Sequence, residues 1–356
     1  MPFSPIWPQP RKNWNFDVSS LSVLIGEQLE LQYRLSRRSL WQCISAAPVV
    51  GLQNYIRSYD LLLEPGSLTY SNPYGCAKAP LRNVQLENAI KLNNLLEDTN
   101  FNVYTIPPQK PPCNRYNIIL NVWSAVTWLI YGGILAFAIL APHTTWIGIA
   151  NVTILTGWSI IVRVIEYFNV VPSKAKKVNK PGDPDAIYIL GRDNSGFVLK
   201  GSREDIKRWV TRGLIYKSYK SRIPGTTQLF QGFTRFTSLL VLLFVFSTLP
   251  NGHTMDQLAF IILNAMAQVN VLLGQWLNSV SCMSELHFEE TSSCKVVTRT
   301  DVYGRLIKEF KDVNDGEWIT ALDLLPKTRK WSDWKTKFLD DVDQDPKDLY
   351  NSLPGR

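Results

Sequence analysis

The sequence predicts a mainly α-helical integral membrane protein, with four transmembrane helices in two hairpins and a small α+β cytosolic module. Three observations predict it. Apolar residues make up an ordinary 45% of the 356-residue chain, yet they concentrate in two blocks, Ile118–Phe168 and Phe236–Val280. A short turn without Lys or Arg, "APHTT" or "PNGHT", divides each block. The formal net charge of +8 belongs to one loop: residues 169–235 carry 14 basic and 5 acidic side chains. A nucleic-acid-binding protein spreads basic charge over a soluble surface, so a nucleic-acid partner is not expected.

The first 117 residues form a cytosolic N-terminal region. "QLELQYRLS" alternates Leu29, Leu31, Tyr33 and Leu35 with polar residues, a strand-like period of two, although Leu21–Leu35 also suits a helix. "NVQLENAIKLNNLLED" places Leu86, Ile90 and Leu95 or Leu96 at helical spacing. "PPQKPP" (Pro107–Pro112) is a stiff linker into the first span. The opening "MPFSPIWPQPRKNWNF" lacks the apolar core of a signal peptide, so the first membrane helix is expected to direct insertion.

The first transmembrane hairpin covers 118–168. Ile118–Leu140 is uncharged, and at 1.5 Å per residue it reaches about 34 Å, enough for a hydrocarbon core of roughly 30 Å. Trp146–Phe168 returns, with Arg163 and Glu166 near its far end. The sequon Asn151-Val-Thr153 lies inside this span, so glycosylation there is not expected. The second hairpin covers 229–283. Phe236–Leu249 alone is short for a span and also fits a re-entrant segment; extending it back through Phe233, Phe230 and Leu229 makes it long enough, with Arg235 snorkelling. Met255–Val280 follows, long but rich in amides. Lys and Arg flank the loop side of the spans, which puts that loop and both termini in the cytosol.

The basic loop, 169–228, reads as a β-hairpin plus helix. "AIYIL" and "GFVLK" flank the turn "GRDNS". Ser202 with Asp205 resembles a capping box, and Gly213 fits the C-terminal cap. Lys174, Lys176, Lys177, Lys207, Arg208, Arg212, Lys217 and Lys220, interleaved with Trp209, Tyr216 and Tyr219, are candidate contacts to anionic lipid headgroups. The alternatives are a solvated positive-inside loop and a docking face for cytosolic proteins. The C-terminal tail, 284–356, holds an amphipathic stretch, "TRTDVYGRLIKEF". It also places Trp331, Trp334 and Phe338 at helical spacing, either on the bilayer interface or on the module. "DDVDQDPKD" reads as a solvated acidic tail.

The candidate site is intramembrane. Thr156, Ser159, Arg163 and Glu166 follow 3-4-3 spacing on one face of the second span. In the fourth, Asn264, Gln268, Gln275 and Asn278 continue a stripe from Gln257, with Ile261 and Val271 filling it. Two readings stand: hydrogen bonding that holds the bundle, or a solute path. His143, His253 and Asp256 in the outer turns are a weak metal set. No HExxH, GxSxG, Gly-rich phosphate loop or CxxC occurs, so no motif calls for a cofactor, and five scattered cysteines read as reduced thiols.

"GRDNSGFVLKGSREDIKRWVTRGL", "LPNGHTMDQLAFIILNAMAQVNVLLGQWLNS" and "TRTDVYGRLIKEF" together resemble a family of uncharacterised multi-spanning membrane proteins of filamentous fungi. The likeness covers roughly Asp183 to Trp334 and carries no catalytic residue with it. What it implies is a fungal multi-pass protein, in some cases accessory to secondary metabolism. The leading expectation is a non-catalytic scaffold or adaptor in the lipid bilayer. A transporter component and a membrane enzyme on a lipid-soluble substrate are the alternatives.

Overall fold

A computed structural model of the chain describes residues 40–45, 66–97, 99–107, 114–141, 144–172, 179–192, 194–211, 213–216 and 226–354. In chain order the helices are α1 (Leu40–Ser45), α2 (Val84–Leu92), α3 (Asn114–Leu140), α4 (Trp146–Asn169), α5 (Arg203–Thr211), α6 (Thr226–Thr248), α7 (Thr254–Ser284), α8 (Arg299–Glu309), α9 (Glu317–Ala321), α10 (Arg329–Asp340) and α11 (Pro346–Ser352). The strands are β1 (Thr69–Asn72), β2 (Ala77–Pro80), β3 (Asn100–Thr105), β4 (Val170–Pro172), β5 (Pro184–Leu190), β6 (Gly196–Ser202), β7 (Leu214–Tyr216), β8 (His287–Phe288) and β9 (Cys294–Lys295). The chain is mainly helical and divides into two units, one of residues 1–64, 114–172 and 214–278, the other of 65–113, 173–213 and 279–356.

Four helices are long and apolar enough to cross a membrane: Ile118–Leu140, Trp146–Asn169, Leu229–Asn251 and Thr254–Ser284; the first three, and the fourth as far as Asn278, belong to the first unit. The third is helical from Thr226 onward, so the backward extension through Phe233, Phe230 and Leu229 describes it and a 14-residue re-entrant piece does not. Arg235 is half-buried, with its Nε inside the protein. Ile134, Ala138, Val152, Leu155, Trp158, Val162, Val241, Val245, Ala259, Phe260 and Leu263 make one apolar core among the four helices. Outward faces are apolar too: Leu129, Phe236, Leu243 and Leu272 are all exposed. A helix apolar inside and out is what a hydrocarbon surround selects. A two-stranded antiparallel pair, β4 with β7, closes the unit.

The second unit is built on a seven-stranded mixed sheet, β2-β1-β5-β6-β3-β8, with β9 also on β3. The expected hairpin is present: β5 and β6 pair antiparallel from Pro184↔Ser202 to Leu190↔Gly196. β3 joins β6 in parallel, Phe101↔Gly196 to Thr105↔Lys200. Both faces are covered, so the strands are apolar on both sides. Ile187, Ile189, Phe197 and Leu199 meet Leu86, Ile90, Ile206 and Val210 on one side. Ala186, Tyr188 and Val198 meet Leu306, Ile307, Phe310, Trp318, Trp334 and Phe338 on the other. Ser202 Oγ accepts from Asp205 N at 3.2 Å and bonds its carboxylate at 2.6 Å, starting α5 as expected. Gly213 is a correction. It is not left-handed; an added Cβ would sit a tight 3.1 Å from Arg82 Cβ.

Two more expectations change. The helix at Asn83 is capped by Asn83 Oδ1 but ends at Leu92, and Leu95 is buried beyond it. The acidic tail is not merely solvated. Asp345 accepts from Lys347 N and Asp348 N and so caps α11, while Lys308 binds Asp343 at 2.6 Å. Trp334 and Phe338 are buried inside the second unit, which settles their helix as a packing helix. Cys76, Cys282 and Cys294 are in no disulfide. "QLELQYRLS" and most of "PPQKPP" lie outside the described residues.

Candidate functional site in the helical unit

The site begins at one carboxylate. Asp256, 1% exposed, stands in the first turn of α7. It accepts from His253 N at 2.8 Å, which caps its own helix. It also accepts from Thr145 N at 3.0 Å and Thr145 Oγ1 at 2.7 Å, at the residue just before α4. One negative charge thus serves two helix N-termini, where unpaired N–H groups and the helix dipoles favour an anion. An added Cβ on Gly148 would lie 2.4 Å from Asp256 Oδ1, so glycine there admits the carboxylate. α4 and α7 therefore start side by side and run in the same direction. Among the described residues no three His, Cys, Asp or Glu side chains gather as a metal set, and His143 lies outside them.

The polar stripe of α4 faces inward. Thr156, Ser159, Arg163 and Glu166 are all buried, Arg163 at 2% exposure and Ser159 at 0%. Arg163 Nε reaches Ser159 Oγ at 3.4 Å, one turn back. On α7, Gln257, Asn264 and Gln275 are buried, whereas Gln268 and Asn278 are half-buried. Asn264 Nδ2 donates to Phe260 O at 2.7 Å, and Gln257 Nε2 to Leu249 O at 3.4 Å.

Three bonds that tie helix to helix come from residues outside the sequence stripes. Trp123 Nε1 of α3 donates to Asn270 Oδ1 of α7 at 2.9 Å. Trp158 Nε1 of α4 donates to Ser238 Oγ of α6 at 2.9 Å. Thr248 Oγ1 donates to Asn151 Oδ1 at 3.1 Å. Asn151 is thus a buried bundle residue. Asn270 was hidden because it sits one residue, about 100° round the helix, off the amide stripe of α7. The signal available was Trp and Asn at matching distances from the outer turns.

Of the candidate lipid contacts, Lys207 is half-buried and Arg208 exposed on α5; Lys174, Lys176, Lys177, Arg212, Lys217 and Lys220 lie outside the described residues. The second unit carries a separate charged cluster. Lys200 Nζ binds Glu289 Oε2 at 3.0 Å and Glu309 Oε1 closer still, and Thr105 Oγ1 donates to Glu289. Burial depresses the Lys200 ammonium, but its bonds to Glu309 and Glu289 outweigh that and hold its pKa above the usual lysine value. Burial likewise raises Glu289, and Thr105 with Lys200 more than reverse it, leaving its carboxyl below the usual value. Burial pushes Tyr188 up to about 12. Thr105, Lys200, Glu289 and Glu309 cross-link β3, β6 and α8.

No family model, curated protein or solved structure matches the chain.

Proposed function

We propose that the chain is a multi-pass membrane protein acting as a non-catalytic scaffold. Its four helices lie in the bilayer, both termini and the sheet-bearing unit face the cytosol, and anionic headgroups lie against the basic loop. The resemblance to fungal multi-spanning proteins enters this proposal only as a source class. The observation that carries the reading is how intramembrane polar groups are used. Trp123–Asn270, Trp158–Ser238, Thr248–Asn151 and the Asp256 cap join helix to helix. Bonds of this kind hold a bundle in a solvent that offers none.

Embedding is tested by alkaline carbonate extraction and by protease protection in sealed microsomes, with tags in loop 173–222 and at the C-terminus. Retention in the pellet with both tags digested is expected; release, or a protected tag, refutes the topology. Scaffold and transporter then separate on Arg163→Ala and Gln268→Leu. A scaffold loses function only in proportion to abundance. Full loss of function at normal abundance supports a solute path instead.

A further inference from the structure

The outward face of α7 is a single stripe. Leu258, Ile262, Ala265, Val269, Leu272 and Trp276 recur at 4-3-4-3-4 spacing, and all six are exposed. Just before the stripe the exposed residues are polar, His253 and Thr254. At its far end stands Trp276, 59% exposed. From Leu258 to Trp276 the helix rises about 27 Å, close to a hydrocarbon core of roughly 30 Å.

The other three long helices carry aromatic side chains at the depth of Trp276. Gly148 of α4 meets Asp256 of α7 where the two helices start. Phe168 and Trp276 each stand twenty residues further along, so they are level, whichever way each one points. Phe168 is exposed, and its ring meets that of the half-buried Tyr167 edge-on at 5.4 Å. α3 and α6 run the opposite way. Tyr116 lies seven residues before Trp123, and Trp276 lies six after Asn270, the partner of Trp123. Phe230 lies eight residues before Ser238, and Phe168 lies ten after Trp158, the partner of Ser238. At 1.5 Å per residue these levels agree within about 3 Å.

We propose that Tyr116, Tyr167, Phe168, Phe230 and Trp276 form a belt at which the bilayer surface crosses the four helices. The partner is phospholipid: its glycerol and carbonyl groups meet the belt, and its acyl chains cover the α7 stripe between the belt and the Asp256 end. Trp and Tyr suit such a boundary because each joins an apolar ring to a polar N–H or O–H. The proposal rests on the membrane-spanning reading and gives it a depth. It brings Arg163 and Glu166, five and two residues short of Phe168, within about 8 Å of the headgroups, well away from the bilayer centre.

The test is nitroxide depth profiling of the full-length chain, with its five cysteines replaced by alanine, in palmitoyl-oleoyl phosphatidylcholine vesicles. Thr254→Cys, Ala265→Cys, Leu272→Cys and Trp276→Cys each carry one spin label. Relaxation by oxygen is compared with relaxation by a water-soluble nickel chelate. Hydrocarbon excludes the polar chelate, so the oxygen-to-nickel ratio should be at least about tenfold higher at Ala265 than at Thr254, and should fall again at Trp276. A ratio that still climbs from Ala265 through Leu272 to Trp276 overturns the belt while leaving the helices in the bilayer. Labels shielded from both reagents overturn it too, since a second copy then covers the stripe. A low ratio at all four positions refutes the membrane-spanning reading itself. Should Trp276→Cys fail to accumulate, Phe168→Cys is read at the same depth.

Discussion

Removing the Asp256 carboxylate should loosen the ends of two helices at once. In Asp256→Ala the N–H groups of Thr145 and His253 lose their acceptor, and Thr145 Oγ1 loses a 2.7 Å bond. A lost cap costs typically about 1 kcal/mol, up to roughly 2 kcal/mol, and two are lost here, so about 2–4 kcal/mol is expected. For units of roughly 150–250 residues each kcal/mol moves Tm by about 2–4 °C, which gives a fall of about 5–15 °C. The assay is apparent Tm of the detergent-solubilised full chain, followed by fluorescence-detected size exclusion after heating. Gly148→Ala provides the internal check. In the native background its Cβ runs into Asp256 Oδ1 at 2.4 Å; beside Asp256→Ala that atom is gone. The Asp256 Cβ, 3.1 Å from the added Cβ, stays in both backgrounds, so the double variant should be only slightly worse than Asp256→Ala alone, still a strongly non-additive cycle. An Asp256→Ala protein melting within 1–2 °C of the native one, or simple additivity with Gly148→Ala, refutes the double-cap reasoning.

In the second unit, Trp334→Ala empties a site that is 0% exposed, where the indole stacks on Phe338 and donates to Pro346 O at 2.9 Å. A loss of about 3–5 kcal/mol is expected, seen as a lower Tm and faster tryptic cleavage of 285–354, while the half-buried Trp331→Ala loses less. The Lys200 cluster makes a pH prediction. Glu289 is lowered from 4.5, so its contribution is present above that value and disappears as pH falls through the lower folded pKa. Lys200 is raised from 10.5, so its contribution is complete below that value and disappears as pH rises through the higher folded pKa. Lys200→Met should thus destabilise by about 1–2 kcal/mol near neutral pH, with the difference from native shrinking at both extremes of a Tm-against-pH series. A pH-independent difference contradicts the ion-pair assignment.

Several elements were legible because their cause is local. Apolar length announces α3 and α4, and Ser202 three residues before Asp205 announces the start of α5. The β5–β6 hairpin is legible for the same reason, its two runs standing either side of a turn. β1 and β3 were not legible. Each is 4–6 residues long, and their partners lie far off in the chain, Ser71 opposite Tyr188 and Phe101 opposite Gly196. "NFNVYT" alternates Asn with apolar residues, which describes a strand only once something covers it. At the candidate site the inward α4 stripe followed from 3-4-3 spacing. Asp256 did not: beside two histidines it suggested a metal, whereas its actual partners are backbone N–H groups, which carry no sequence signature.

The sheet is interrupted twice in sequence. β3 is followed by one pair of long helices before its parallel neighbour β6 appears, and by a second pair before β8 and β9 complete its other edge. At synthesis rates of roughly 5–20 residues per second, β3 waits several seconds at least for each neighbour. During that wait its hydrogen-bonding edges are open, and an open edge is a template for the wrong strand. Closure of the sheet therefore reports that both helical pairs have been made and stowed. A chain stalled before either helical pair is complete displays an unfinished edge, the kind of surface that quality-control chaperones hold.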